Sequence, residues 1–270
     1  MNTFGRTIGL TIFGESHGLS IGAVLDGLPS GEAIDWDAVR AEMARRAPGK
    51  NKMSTARSEK DAFEVQSGFF NGHTTGTPLC AIIRNSDQHS RDYDQLRHIM
   101  RPGHADYSGK IRYGGFNDYR GGGHFSGRLT APLVFAGAVA KLVLRERGVA
   151  VTGRISNVAG IPDPTPEQME AAILAAKAEL DSVGGRIRCS VTGLPVGLGS
   201  PDFGCNVEGI FSQYLFAVPA VKAVGFGLGE GFAALRGSQA NDPFYLDGGT
   251  VRTRTNHSGG INGGITNGMP

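Results

Sequence analysis

Glycine constrains this chain more than any other residue: it fills 42 of 270 positions, more than twice the ~7% usual in globular proteins. Glycine is favoured where backbone turns left-handed or approaches another group closely, so such an excess must be spent in tight loops. No Gly-X-Y period, Gly/Ser tract or Arg-Gly-Gly array is present, which excludes collagen, a linker and a disordered RNA-binding tail. The glycines sit instead in loops beside His, Arg and Ser, a placement that suggests backbone brought close to a ligand. The remaining usage is globular, with 40% hydrophobic and 19% charged residues. The length is enough to bury a sizeable core as one large domain or two small ones.

Twenty-seven Lys and Arg against 25 Asp and Glu leave a net charge of +2, so nothing favours wholesale attraction to nucleic acid or membrane. Cys80, Cys189 and Cys205 are widely spaced with no Cys-x-x-Cys, which fits neither a disulfide framework nor a zinc site. No metal is expected, and a reduced cytosol is the default compartment. Met1 to Ile12 carries only Arg6 as a charge, and the longest uncharged apolar-rich stretch, Leu129 to Ala140, is too short to cross a bilayer. A soluble, untargeted, cytoplasmic protein is the expectation.

Thr7 to Phe13 and Leu19 to Leu28 read as strands around the polar loop Gly14 to Gly18. Asp35 caps a helix from Trp36 to about Arg46, with Val39 and Met43 on one face, that must stop before Pro48. Residues 61 to 100 suggest short strands and turns, including Pro78 to Arg84. Leu129 to Arg147 predicts a helix apolar all round, hence central and buried. Thr165-Pro166-Glu167-Gln168 is a capping box opening a helix that Gly184-Gly185 closes after about Val183. A strand at Ile187 to Thr192, a helix around Ile210 to Phe216 and a β run at Ala223 to Leu228 follow. Runs of strands with intervening buried helices fit an α+β layered domain better than a βαβ alternation. Gly121-Gly122-Gly123 lacks the spacing of a dinucleotide fingerprint.

Three of the seven histidines, His17, His104 and His124, lie in glycine-flanked polar loops. Arg101 before His104 and Asp106 after it offer an anion ligand and an imidazole orienter. Ser16-His17 does not indicate a serine hydrolase, because no G-x-S-x-G elbow exists. The segment Arg120 to Arg128 delivers a glycine-rich loop onto a buried helix, a ready anion site. Arg45, Arg46, Lys52, Arg57, Arg101, Arg120 and Arg128 supply cations in the same loops and caps. If several converge, the ligand is small and multiply anionic. Arg45 and Arg46 also suit the helix dipole as solvated charges, so that reading stays open.

Five segments carry a resemblance: Phe13 to Gly18, Arg45-Arg46-x-Pro48-Gly49, Arg101 to Asp106, Asp118 to Gly123, and Gly259 to Gly268. In that order they resemble chorismate synthase from the first strand to the last residue. The resemblance implies one domain over residues 1–270, a β-α-β sandwich of two antiparallel sheets around central helices, assembled as a homotetramer. It implies a lyase converting 5-enolpyruvylshikimate-3-phosphate to chorismate and phosphate in aromatic amino-acid biosynthesis, with reduced FMN. His104 would keep the reduced flavin correctly ionised and His17 would assist phosphate departure as an acid. Ser16, Arg46, Arg57, Arg101 and Arg128 would bind the substrate. His124, Phe125, Ser126, Pro219, Ala220 and Gly263 would contact the flavin, and Arg46 and Lys52 would meet NADPH if the enzyme reduces its own flavin.

Two departures from the family pattern stand out. His124-Phe125 replaces Arg-Ser in the flavin loop, and Phe125 would pack on the ring. Relatives also continue past the second glycine loop through a Lys-Pro-Thr segment and an Arg-His-Asp-Pro motif, so the domain is expected to be C-terminally incomplete, with weak FMN binding and no turnover. A rival reading is therefore a catalytically impaired flavin- or phosphate-binding fragment. A nucleic-acid binder is disfavoured by the small net charge and by aromatics that do not interleave with basic residues.

Overall fold

A computed structural model describes residues 3–49, 51–54, 59–86 and 99–270. The chain divides into two compact units, Met1–Val143 and Leu144–Pro270.

The first unit is built on strands β1 (Thr3–Phe4), β2 (Gly9–Gly14) and β3 (Ser20–Asp26), helix α1 (Trp36–Arg46), then β4 (Phe63–Ser67), β5 (Phe69–Phe70), β6 (His73–Thr74) and β7 (Leu79–Arg84). Helix α2 (Asp106–Arg112), two short 3₁₀ turns over Arg120–Phe125 and Gly127–Leu129, and helix α3 (Thr130–Arg145) follow. Five strands form one antiparallel sheet in the order β1-β2-β3-β7-β4. The pleat sends alternate side chains to one face: Ile21, Ala23 and Leu25 of β3 and Leu79, Ala81 and Ile83 of β7 are all buried. They share a core with Val39 and Met43 of α1 and with Phe135, Val139 and Leu142 of α3. Trp36 stacks on Phe135 at 6.2 Å and meets Phe69 edge-on at 4.9 Å, which fixes the helix ends over the sheet.

Both helices of this core follow their sequence signals. Asp35 caps α1 by accepting from the backbone N–H of Asp37 and Ala38, and the chain leaves the helix at Ala47, before Pro48. Along α3 only Gly137 and the terminal Arg145 are exposed. The helical run Gly127–Arg145, including its 3₁₀ turn, is longer than the apolar stretch alone indicates. By length and composition it could cross a membrane, yet 56% of that window is buried within the fold, as befits a core helix.

In the second unit, β8 (Ala150–Val158) pairs antiparallel with both β9 (Ile161–Pro162) and β10 (Gly185–Thr192), and helix α4 (Pro166–Ala178) joins the latter two. Helices α5 (Val207–Phe216) and α6 (Gly237–Ala240) and the hairpins β11–β12 (Phe244–Asp247, Thr250–Thr253) and β13–β14 (Ile261–Asn262, Ile265–Thr266) complete it. The mixture of helices and antiparallel strands is the expected α+β class.

Three local expectations need correction. The helix opened by the Thr165–Gln168 capping box ends at Ala178, because Leu180 turns left-handed at φ +59°. Its N–H and that of Asp181 then bond back to Lys177 and Ala176, a Schellman closure that acts before the glycine pair is reached. Ala223 to Leu228 forms no strand: Gly227 has φ +56°, and the N–H of Leu228 bonds to the carbonyl of His257. The terminal glycine segment is a hairpin rather than an open loop. Gly263 and Gly264 both have positive φ, as a two-residue hairpin turn of the primed type requires.

Candidate active site

Ser16 and His17 occupy the loop between β2 and β3, and both are buried. The peptide N–H of Ser16 donates to the carbonyl of Gly123 at 3.1 Å. His124 closes the same contact, with Nδ1 2.8 Å from the carbonyl of Gly14. These two bonds press the Gly121-Gly122-Gly123 triplet against the His17 loop. Gly121, Gly122 and Gly123 have φ of +58°, +83° and +54°, a run of positive φ that L-residues with a Cβ resist. A Cβ on Gly121 would lie 2.1 Å from the His17 ring, and one on Gly122 would lie 2.8 Å from His104 Nε2. Two loops about ninety residues apart in sequence thus place their histidines against adjacent glycines.

His104 sits in a charged clasp. Arg101 donates through Nε and Nη2 to the two oxygens of Asp106 at 2.7 and 2.8 Å, and its backbone N–H adds a third bond at 3.0 Å. The Nδ1 of His104 lies 2.7 Å from Asp106 Oδ1. Hydrogen bonds from Arg101 outweigh burial and hold the Asp106 carboxyl well below the usual carboxylate range. Asp106 therefore stays anionic at neutral pH, favours the proton on Nδ1 of His104, and leaves Nε2 toward Gly122.

Beside these loops is a cleft of about 430 Å³ lined by Phe13, Gly14, Glu15, Tyr113, Phe116, Asn117, Asp118, His124 and Phe125. The Phe125 ring covers Gly109, where a Cβ would lie 2.6 Å from it, and leans on Tyr113 at 6.2 Å. Asp118 takes a two-pronged bond from Arg120 at 2.9 and 2.8 Å. Burial raises the Asp118 carboxyl, but the Arg120 bonds and charge prevail and its acidity ends below the ordinary value.

Arg46 and Arg128 converge as well, on an acid that the sequence did not single out. Arg46 donates to Oδ2 of Asp61, and Arg128 donates to Oδ1 of the same carboxylate. The Arg128 and Asp61 side chains are 2% and 0% exposed, whereas Arg46 keeps 19%. Glu59 lies 3.7 Å from Arg128. Asn85 accepts from Arg128 Nε at 3.2 Å and donates to the carbonyls of Glu15 and Gly18, on either side of His17. Asp61, Glu59, Asn85 and Asp118 were not legible as site residues. No local motif marks Asp61 or Glu59, and a counter-ion becomes visible only once its arginine is placed.

Ser126 accepts from the N–H of Arg128 at 3.3 Å, so its hydroxyl caps the turn leading into α3 and occupies one N–H of the expected anion site. Lys52 lies exposed in a turn after Pro48. Arg57 lies outside the described residues. Pro219, Ala220 and Gly263 are exposed in the second unit. Among the described residues no group of three or more His, Cys, Asp or Glu could hold a metal ion.

Comparison with known proteins shows the family. The family model described as chorismate synthase matches residues 8–270. A chorismate synthase of Dehalococcoides mccartyi is 44% identical, with 100% of this chain and 80% of that protein covered. That of Chitinophaga pinensis is 47% identical over 100% of this chain and 78% of its own length. A solved structure titled "Crystal Structure of Chorismate Synthase" superposes with a TM-score of 0.78 at 26% identity, covering 98% of this chain and 81% of that one. Sequence and fold together show that the chain belongs to the chorismate synthase family of phosphate lyases.

Proposed function

We propose that the protein catalyses the anti 1,4-elimination of phosphate from 5-enolpyruvylshikimate-3-phosphate, giving chorismate for aromatic amino-acid biosynthesis, with reduced FMN as cofactor. The observation that carries this reading is the pair of histidines set against Gly121 and Gly122, one of them held by an anionic Asp106. The residues present fit a flavin: the cleft is walled by Phe13, Tyr113 and Phe125, with polar atoms from Asn117, Asp118 and His124, as a planar ring with polar edges requires. Reduced FMN, when bound, supplies electron density to the substrate and takes up the proton from carbon 6 without net redox change.

The chain's own residues do the rest. His104 holds or releases a proton at Nε2 while Asp106 fixes Nδ1, which keeps the cofactor's ionisation suited to the reaction. His17 donates a proton to the departing phosphate, and its burial keeps water from competing for that proton. Ser16, Arg46, Arg57, Arg101 and Arg128 bind the phosphate and two carboxylates of the substrate, with Arg46 offering its exposed edge. His124, Phe125 and Ser126 contact the cofactor. The flavin contacts of Pro219, Ala220 and Gly263, and NADPH contact by Arg46 and Lys52, rest on motif likeness alone. The active form is a cytoplasmic homotetramer acting on this small-molecule substrate, with no nucleic-acid or membrane partner. Flavin fluorescence titration with and without the substrate tests the proposal: tighter FMN binding in its presence is expected, and no FMN binding under either condition would contradict it.

A further inference from the structure

We infer that Asp61 is a positioning residue for the anion-binding arginines, an inference that rests on the substrate-binding role proposed for Arg46 and Arg128. Its carboxylate divides its two oxygens between two guanidinium groups, Oδ2 to Arg46 and Oδ1 to Arg128. Guanidinium groups this close repel each other, and a buried anion between them allows both to stay. Asp61 is 2% exposed, so it has no solvated alternative to these partners.

Its backbone points the same way. Asp61 adopts φ +51°, a left-handed conformation that is costly for a residue with a side chain and persists where the surroundings over-determine it. That backbone carries the carboxylate between α1, which bears Arg46, and the turn before α3, which bears Arg128. Arg128 then passes the constraint on. Its Nε bonds Asn85, whose amide nitrogen holds the carbonyls of Glu15 and Gly18 at 3.0 and 2.8 Å. Moving the Asp61 carboxylate therefore shifts Arg46 directly and the His17 loop through two further side chains. Glu59, itself held at 2.8 Å by the Ser86 hydroxyl, lies too far from Arg128 at 3.7 Å to replace that bond.

Asp61→Asn tests this cleanly, because asparagine keeps the volume and tolerates the left-handed backbone while losing the charge. Affinity for 5-enolpyruvylshikimate-3-phosphate, measured by titration calorimetry on variants that still unfold cooperatively, should fall at least about tenfold, the scale of one charge-assisted hydrogen bond. Combined with Arg46→Gln, the loss should be smaller than the product of the two single losses, since part of the Asp61 effect acts through Arg46. A merely structural role gives losses that multiply, and that result would overturn the inference. If Asp61→Asn does not fold, Asp61→Glu keeps the charge and displaces it by one methylene: weakened binding supports positioning, and unchanged binding overturns it. Weakened binding in Arg46→Gln with unchanged binding in Asp61→Asn refutes this inference alone. Unchanged binding in both Arg46→Gln and Arg128→Lys refutes the substrate-binding reading on which it rests.

Discussion

The ring of His17 lies so close to the backbone of Gly121 that a methyl group on Gly121 would sit 2.1 Å from its Nδ1 and Cε1 atoms. The contact sets the depth of the histidine and requires glycine twice over, for space and for a φ of +58°. Gly121→Ala must therefore push the ring out or distort the triplet, at a cost of about 2 to 4 kcal/mol from overpacking and a left-handed alanine together. Chemical denaturation should show that loss. Gly137→Ala, at an exposed helical position with open space around it, should be neutral or mildly stabilising.

Asp106 makes stability depend on pH in a defined direction. Its carboxyl is held below the ordinary value of 3.8 chiefly by Arg101, so the folded state binds the proton less readily than the unfolded chain. The contribution is fully present above 3.8 and is lost as pH falls through the lower folded value. Asp106→Asn should be less stable than the parent at neutral pH, with the gap closing in acid. A gap that stays constant through acid unfolding would show that the charge contributes nothing.

Much of this was readable in advance where a local signal had a mechanism. The Asp35 cap and Pro48 bounded α1 correctly, and the β-rich runs Leu19 to Leu28 and Pro78 to Arg84 contain β3 and β7. The hairpin Phe244–Thr253 has a turn signal in Asp247-Gly248-Gly249-Thr250 but no strand signal, because β11 is exposed throughout and has no alternation to mark it. Loop histidines next to glycines pointed to the His17 and His104 loops as a candidate site from residue types alone, and folding sets both against the glycine triplet. Asp61 could not be found that way: its meaning comes from two arginines 15 and 67 residues distant in the chain, and only folding brings them to one carboxylate.

Arg46 and Arg128 should separate in their effects. Arg46→Ala should weaken substrate binding by about 1.5 to 3 kcal/mol, as for a charge-assisted hydrogen bond, with a modest change in stability since the side chain is 19% exposed. Arg128→Ala leaves Oδ1 of the buried Asp61 without its donor, with Arg46 remaining on Oδ2, and should also cost about 1 to 3 kcal/mol of folding stability. Parallel calorimetric titration and denaturant unfolding distinguish the two. Equal stability losses would contradict the difference in burial.

Asp242 organises the approach to the terminal hairpin. Its carboxylate accepts from the Thr255 hydroxyl, the His257 and Ser258 N–H groups and the Ser258 hydroxyl, all between 2.6 and 2.8 Å. Burial works against its ionisation, but these four donors prevail and hold its acidity well below the carboxylate range. Asp242→Ala should release several donors at once, and amide exchange at Gly259 and Gly260 should accelerate about tenfold or more. Unchanged exchange there would mean that the hairpin is held by other bonds.

The most direct measurement is an anaerobic assay with chemically reduced FMN and 5-enolpyruvylshikimate-3-phosphate, following chorismate and phosphate together. Because the chain spans about four fifths of the length of the relatives it matches, the assay is run on this chain and on a form extended to that full length. The extended form should release one phosphate per chorismate with no net flavin oxidation, and His104→Ala should slow it by at least ~100-fold, the scale of a general acid–base group. No chorismate from the extended form, or a His104→Ala rate near that of the parent, would contradict the proposed chemistry.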